Sequence, residues 1–131
     1  MVKVVLLFSH AEDPAALDDY YYNHYLPMVL KVPGVIKVEV TRFYSDLKKV
    51  FVKEKNSTPE YVIQSELYFE SLQAFEEGFS TKQGEFIANN TIEIAWEVIT
   101  AMMGECVVIT PEEYETEPTL IRRMYSRSRV I

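Results

Sequence analysis

Near the start of the chain the apolar side chains do not alternate with polar ones: after Lys3, Val4-Val5-Leu6-Leu7-Phe8 is unbroken. Such a run predicts a strand over residues 2–8 that is covered on both faces. The period then changes. Asp13 followed by Pro14 predicts a helix start, with the carboxylate as cap and the proline in the first turn, where its missing N–H costs nothing. This helix runs to Pro33-Gly34, with a kink or division at Pro27, whose ring displaces a backbone hydrogen bond. Val35 to Tyr44 alternates, Ile36, Val38 and Val40 against Lys37, Glu39 and Thr41, and predicts a second strand with unequal faces. Residues 46–59 carry Lys48, Lys49, Lys53 and Lys55 and close on Asn56-Ser57-Thr58-Pro59, the pattern of an exposed hairpin connection. Tyr61 to Phe69 alternates again and predicts strand three.

Leu72, Phe75 and Phe79 recur at helical spacing behind Ser71 as a cap, and Ser80 with Gln83 fits a capping box for a renewed helix. The stretch from Thr91 to Met103 fits two periods. Ile92, Trp96, Ile99 and Met103 suit a helix, Ile92, Ile94, Trp96 and Val98 suit a strand, and length favours the helix. Cys106 to Thr110 is then the fourth strand. After Pro111, Glu112, Glu113, Glu115 and Glu117 give way to a tail holding Arg122, Arg123, Arg127 and Arg129, four of the five arginines. The expected division is a domain at 1–112 and a tail at 113–131. Leu120, Ile121, Met124, Tyr125, Val130 and Ile131 would anchor that tail on the body or on a dimer partner.

Strand, helix, strand, strand, helix, strand is the split βαβ order of a ferredoxin-like α+β fold, a four-stranded antiparallel sheet with the helices on one face. Because strands one and four read as apolar on both faces, the uncovered face would be an apolar patch that soluble monomers avoid. A homodimer with the two sheets face to face closes it.

Length and composition narrow the function. At 131 residues one domain is expected. Twenty acidic against 13 basic side chains, a net charge of −7, speak against a general affinity for nucleic acid or anionic membrane. The single Cys106 has no internal disulfide partner and reads as a small hydrophobe, and no signal-peptide pattern opens the chain, so a cytoplasmic protein is expected. The apolar runs fall far short of the roughly 20 residues of a membrane helix. With two histidines, no His-Glu-x-x-His, no Cys pair, no glycine-bearing calcium loop and no Gly-rich phosphate loop, neither a metal nor a nucleotide cofactor is expected. His10, at the end of strand one, reads as a solvated loop residue.

Leu17-Asp18-Asp19-Tyr20-Tyr21, Leu26-Pro27-Met28 and Val32-Pro33-Gly34 together resemble the first-helix signature of the EthD-like family of dimeric α+β barrels. The resemblance implies sheet-to-sheet dimers in which each subunit keeps a cavity between sheet and helices. It also implies relatives that are cofactor-free isomerases, cyclases and monooxygenases, some that degrade haem, and an oxidoreductase accessory role. The family's usual histidine lies two residues before the helix proline; here that position is Tyr25, and His24 precedes it.

At about 100° per residue, Leu17, Tyr21, His24, Met28 and Val32 share one stripe about 80° wide, with Tyr25 beyond its edge. His24 is therefore expected to point into the cavity and Tyr25 toward its mouth. His24 is the candidate catalytic acid or base, because an unperturbed imidazole is the side chain suited to proton transfer near neutral pH. Tyr21, Tyr25, Leu17 and Met28 are the candidate substrate contacts. The expected ligand is a small apolar cyclic or aromatic molecule, handled by a cofactor-free isomerase, cyclase or oxidoreductase-type enzyme. Two alternatives remain open: a non-catalytic accessory or binding protein, and haem binding through His24.

Overall fold

The computed structural model describes residues 1–116. Four strands, β1 (Val2–Ser9), β2 (Lys37–Arg42), β3 (Tyr61–Phe69) and β4 (Ile99–Glu105), form one antiparallel sheet in the order β2-β3-β1-β4. This is the ferredoxin-like α+β arrangement expected from the element order. Strand β3 has the predicted limits, and β2 is shorter than its alternating pattern. Register puts Val4, Leu6 and Phe8 of β1 beside Leu67, Ser65 and Ile63 of β3 and Met103, Ala101 and Ile99 of β4, all on the helix-covered face.

The segment between β1 and β2 is not one α-helix. Helix α1 (Pro14–Asp19) starts where predicted, Asp13 accepting from the Ala16 N–H with Pro14 in the first turn. A π-helical segment follows at Tyr20–Tyr25, then α2 (Leu26–Val29). The Leu26 N–H reaches back five residues to the Tyr21 carbonyl. Pro27, next in line, has no N–H with which to enforce the α register.

The connection predicted as a loop contains a short helix, α3 (Leu47–Phe51), capped by Asp46. Ser71 caps α4 (Leu72–Phe79) as expected, but Thr81, not Ser80, caps α5 (Lys82–Ala95), accepting from the Gly84 N–H. The largest correction lies in the segment with two periods. Helix α5 stops at Ala95, a 3₁₀ turn spans Trp96–Val98, and the fourth strand is Ile99–Glu105, ahead of the Cys106–Thr110 run assigned to it. The exposure of Ile92, Ile94 and Trp96 means that their spacing reported neither a helix core nor a strand face. The last helix among the described residues, α6 (Pro111–Thr116), is exposed. The packing expected of the tail falls on residues 117–131, outside the described residues.

The face without helices is mixed rather than apolar. Val5, Leu7 and Met102 share it with Lys3, Gln64, Glu66, Tyr68, Lys37 and Glu39. Glu39 and Glu66 stand directly opposite, a like-charge pair. Lys3 (2.5 Å from Glu66) and Lys37 (2.7 Å from Glu39) neutralise it, and the Tyr68 hydroxyl donates to Glu39 at 3.2 Å. The Glu66 hydrogen bond raises the pKa of Lys3, so the ammonium of that pair stays charged near neutral pH.

Candidate functional site

A cavity of about 330 Å³ lies between the helix-facing side of the sheet and α4 and α5, at the low end of the range for small-molecule sites. Leu6, Leu67 and Ala101 make its floor, Phe75, Phe79 and Ile87 its walls. Ile92 and Trp96 stand half exposed beside it. Among the lining side chains only those of Tyr25, Thr91 and Trp96 carry a polar atom. The Thr91 hydroxyl donates to the Ile87 carbonyl at 2.9 Å, so Tyr25 and Trp96 are the groups left to donate to a ligand.

The π-helical segment aims these side chains. In a continuous α-helix each step of four residues advances a side chain about 40° past a full turn. A segment with i→i+5 bonds holds more residues per turn and takes that advance back. Leu17, Tyr21, Tyr25 and Val29, spaced by four, consequently all face the core. Tyr21 is fully buried and its hydroxyl donates to Ser65 Oγ at 2.8 Å. Its ring stacks on Tyr25 at 5.3 Å, and Phe8 meets both edge-on at 5.4 and 5.9 Å. Burial, reinforced by the neighbouring Tyr21 phenol and only partly offset by Ser65, raises the Tyr25 pKa far above the ordinary phenol range. Tyr25 therefore stays protonated and can donate a hydrogen bond to a ligand oxygen.

The predicted placement of His24 and Tyr25 is thus reversed: Tyr25 enters the cavity and His24 faces away from it. The His24 side chain is 62% exposed, with Nε2 3.4 Å from Asp19 Oδ2. Of the other predicted contacts, Leu17 is buried in the core, Tyr21 lies behind the cavity wall, and Met28 lines an outer groove with His24. The sequence reading missed Thr91, Trp96 and the α4–α5 walls. Phe75 and Phe79 carried a signal in their helical spacing, whereas Trp96 lay in the segment with two periods. His10 is exposed, its ring nitrogen 2.7 Å from the Pro59 carbonyl. Among the described residues no cluster of three or more His, Cys, Asp or Glu could hold a metal, and no helix is long and apolar enough to cross a membrane.

The Tyr21–Ser65 bond offers a direct test of this wall. Ser65→Ala removes the acceptor from a fully buried phenol and should destabilise the fold by about 1–3 kcal/mol in urea titrations. An unchanged midpoint would mean that the hydroxyl finds another partner.

A model of the EthD domain matches residues 9–89. The "Uncharacterized 11.0 kDa protein in thcB-thcC intergenic region" of Rhodococcus erythropolis is 24% identical over 111 residues, covering 85% of this chain and all of that protein. The crystal structure of an EthD family protein from Bacillus halodurans superposes with a TM-score of 0.69 at 25% identity, over 82% of this chain and 99% of the other. A mutant of SnoaB, a cofactor-independent oxygenase from Streptomyces nogalater, shares the fold at a TM-score of 0.50 and 16% identity, over 84% and 95% of the two chains. With its family signature, its strand order and a domain match over more than half its length, the chain belongs to the EthD domain family.

Proposed function

We propose that this EthD protein binds a small, mostly apolar cyclic or aromatic molecule between its sheet and helices, with Tyr25 donating a hydrogen bond to a ligand oxygen. The observation that carries this reading is an apolar cavity into which one buried, permanently protonated phenol projects. The lining contains no carboxylate and no imidazole. Tyr25 can hold a carbonyl or an oxyanion, but no lining group is a base near neutral pH. That favours the binding or accessory role over proton-transfer catalysis by His24, which lies outside the cavity with its side chain mostly in solvent. The same exposure weighs against haem binding through His24.

The homodimer belongs to the same proposal. Its support is the open sheet face, where Glu66 is only 7% exposed in one protomer while Met102 on the same face is 53% exposed. Two such faces would bury the apolar half, with the lysine–glutamate pairs already neutralised.

Trp96 is the only tryptophan in the chain and lines the cavity, so its fluorescence reports occupancy. Titration with 1-tetralone, a bicyclic aromatic ketone, should give a saturable change. Tyr25→Phe should weaken the ketone about threefold to tenfold, the worth of one hydrogen bond, and leave the hydrocarbon tetralin unaffected. Ala88→Phe, or Ala101→Leu as the milder variant, should abolish both. An unsaturable response, or one indifferent to cavity filling, overturns the reading. Native mass spectra of the same samples should carry ligand on a dimer, and a monomer would remove the dimer from the proposal.

A further inference from the structure

We infer that a second ligand site, for a small hydroxycarboxylate, lies on the outer side of the π-helical segment. A groove of about 360 Å³ runs there between that segment with α2 and the side of α5. Two buried side-chain polar atoms among the described residues lack a hydrogen-bond partner, the Tyr20 hydroxyl and Asn90 Oδ1. Both residues line this one groove, although they come from different elements.

Tyr20 is 9% exposed, and its hydroxyl can donate or accept. Its pKa is raised by burial, which the nearby Thr91 hydroxyl tempers, but the two hydroxyls lie outside hydrogen-bond geometry and the Tyr20 hydroxyl is left without a partner. Leaving two such groups unpaired is costly, and a ligand that supplies partners recovers the cost.

Charge and shape define the rest of the ligand. The body of the protein is strongly acidic, yet the groove is lined by no carboxylate, while Lys31 and His24 stand on its wall. Among the described residues no carboxylate forms an ion pair with Lys31. Asp19 lies outside the lining; it receives the Asn23 amide at 2.7 Å and stands 3.4 Å from His24, fixing both. The groove thus presents a free cation toward a carboxylate. Pro27, Met28 and Ile94 supply an apolar surface for a small carbon skeleton. Both unpaired atoms are closed off in the empty groove, so a ligand hydroxyl, which both donates and accepts, pairs with the Asn90 amide and with Tyr20 as these side chains turn toward it. Single-turn π segments recur at functional sites, and this one provides Tyr20, Asn23 and His24 together.

Salicylate and its deoxy analogue benzoate test the inference by NMR titration of the full chain. Salicylate should shift the resonances of Asn23, Lys31 and Asn90 saturably, and benzoate should bind about threefold to tenfold more weakly for want of the hydroxyl. Lys31→Met should weaken both acids about tenfold. Asn90→Leu should erase the preference for salicylate while leaving thermal stability equal or higher, because it removes an unpaired buried acceptor. Shifts confined to cavity residues such as Ile87 and Leu67, no saturation, or equal affinity for the two acids would overturn it. The readouts are separate from the Trp96 response to 1-tetralone, so either site can fail alone.

Discussion

Gly84→Ala should cost the fold about 3 kcal/mol, the upper part of the range for overpacking. A Cβ at this position would sit 2.2 Å from the Gly78 carbonyl oxygen and 2.7 Å from Phe79 Cα. A Cβ at Gly78 would in turn meet the Pro33 carbonyl oxygen at 2.2 Å. Three backbones, the turn after α2, α4 and the first turn of α5, are stacked in contact, with no flexible side chain between them to yield. The methyl group can be admitted only by moving α4 and α5 apart, and both helices wall the cavity, through Phe75 and Phe79 on one and Ile87 on the other. Urea denaturation should register the loss, and the Trp96 response to 1-tetralone should weaken with it. Gly104→Ala is the control: no atom of the same protomer lies within 4 Å of the added Cβ, which would stand on the open sheet face opposite Lys3, so stability measured below the concentration at which a dimer forms should be unchanged or slightly raised. Equal effects at the two glycines would refute the stacking argument.

Phe8→Ala should be the more damaging change, at about 3–5 kcal/mol, because a fully buried aromatic ring leaves a cavity that its neighbours fill only in part. Phe8 also has a second task. It abuts the edges of Tyr21 and Tyr25 and holds that stacked pair against the sheet. Removing it should therefore blunt the difference between 1-tetralone and tetralin, since Tyr25 would no longer be held where a ketone oxygen meets it. A Phe8→Leu variant that recovers stability but not this discrimination would separate the two tasks. Discrimination surviving in Phe8→Ala would mean that Tyr25 is positioned by Ser65 and Tyr21 alone.

The element order and β3 were legible because each rested on a pattern with one reading. Tyr61–Phe69 alternates, Asp13-Pro14 caps, and Ser71 sits one residue ahead of α4. Strand β4 was not legible, because the apolar residues from Ile92 to Val98 satisfy helical and extended periods together, and most of them are exposed for reasons unrelated to either core. The open sheet face was misjudged with it, since its polar members come mainly from β2 and β3, with Lys3 of β1, and are joined by contacts no linear pattern carries. The cavity itself was foreseen from the family resemblance and the wrong side chain assigned to it. An α-helical projection from Leu17 carries His24 inward, and only the π register, invisible to residue periodicity, turns Tyr25 inward instead.

That register gives one stretch of chain two rulers that disagree. Measured forward from the Asp13 cap, positions drift out of phase once the π segment is crossed; measured backward from Pro27, they do not. Tyr25 stands two residues before Pro27, where the family resemblance locates a histidine, and it is the side chain that reaches the cavity. Counting back from the proline therefore finds the inward-facing position in this chain, and counting forward from the cap does not. Whether the cavity holds an imidazole that titrates near neutrality or a phenol that never ionises there then comes down to a single position.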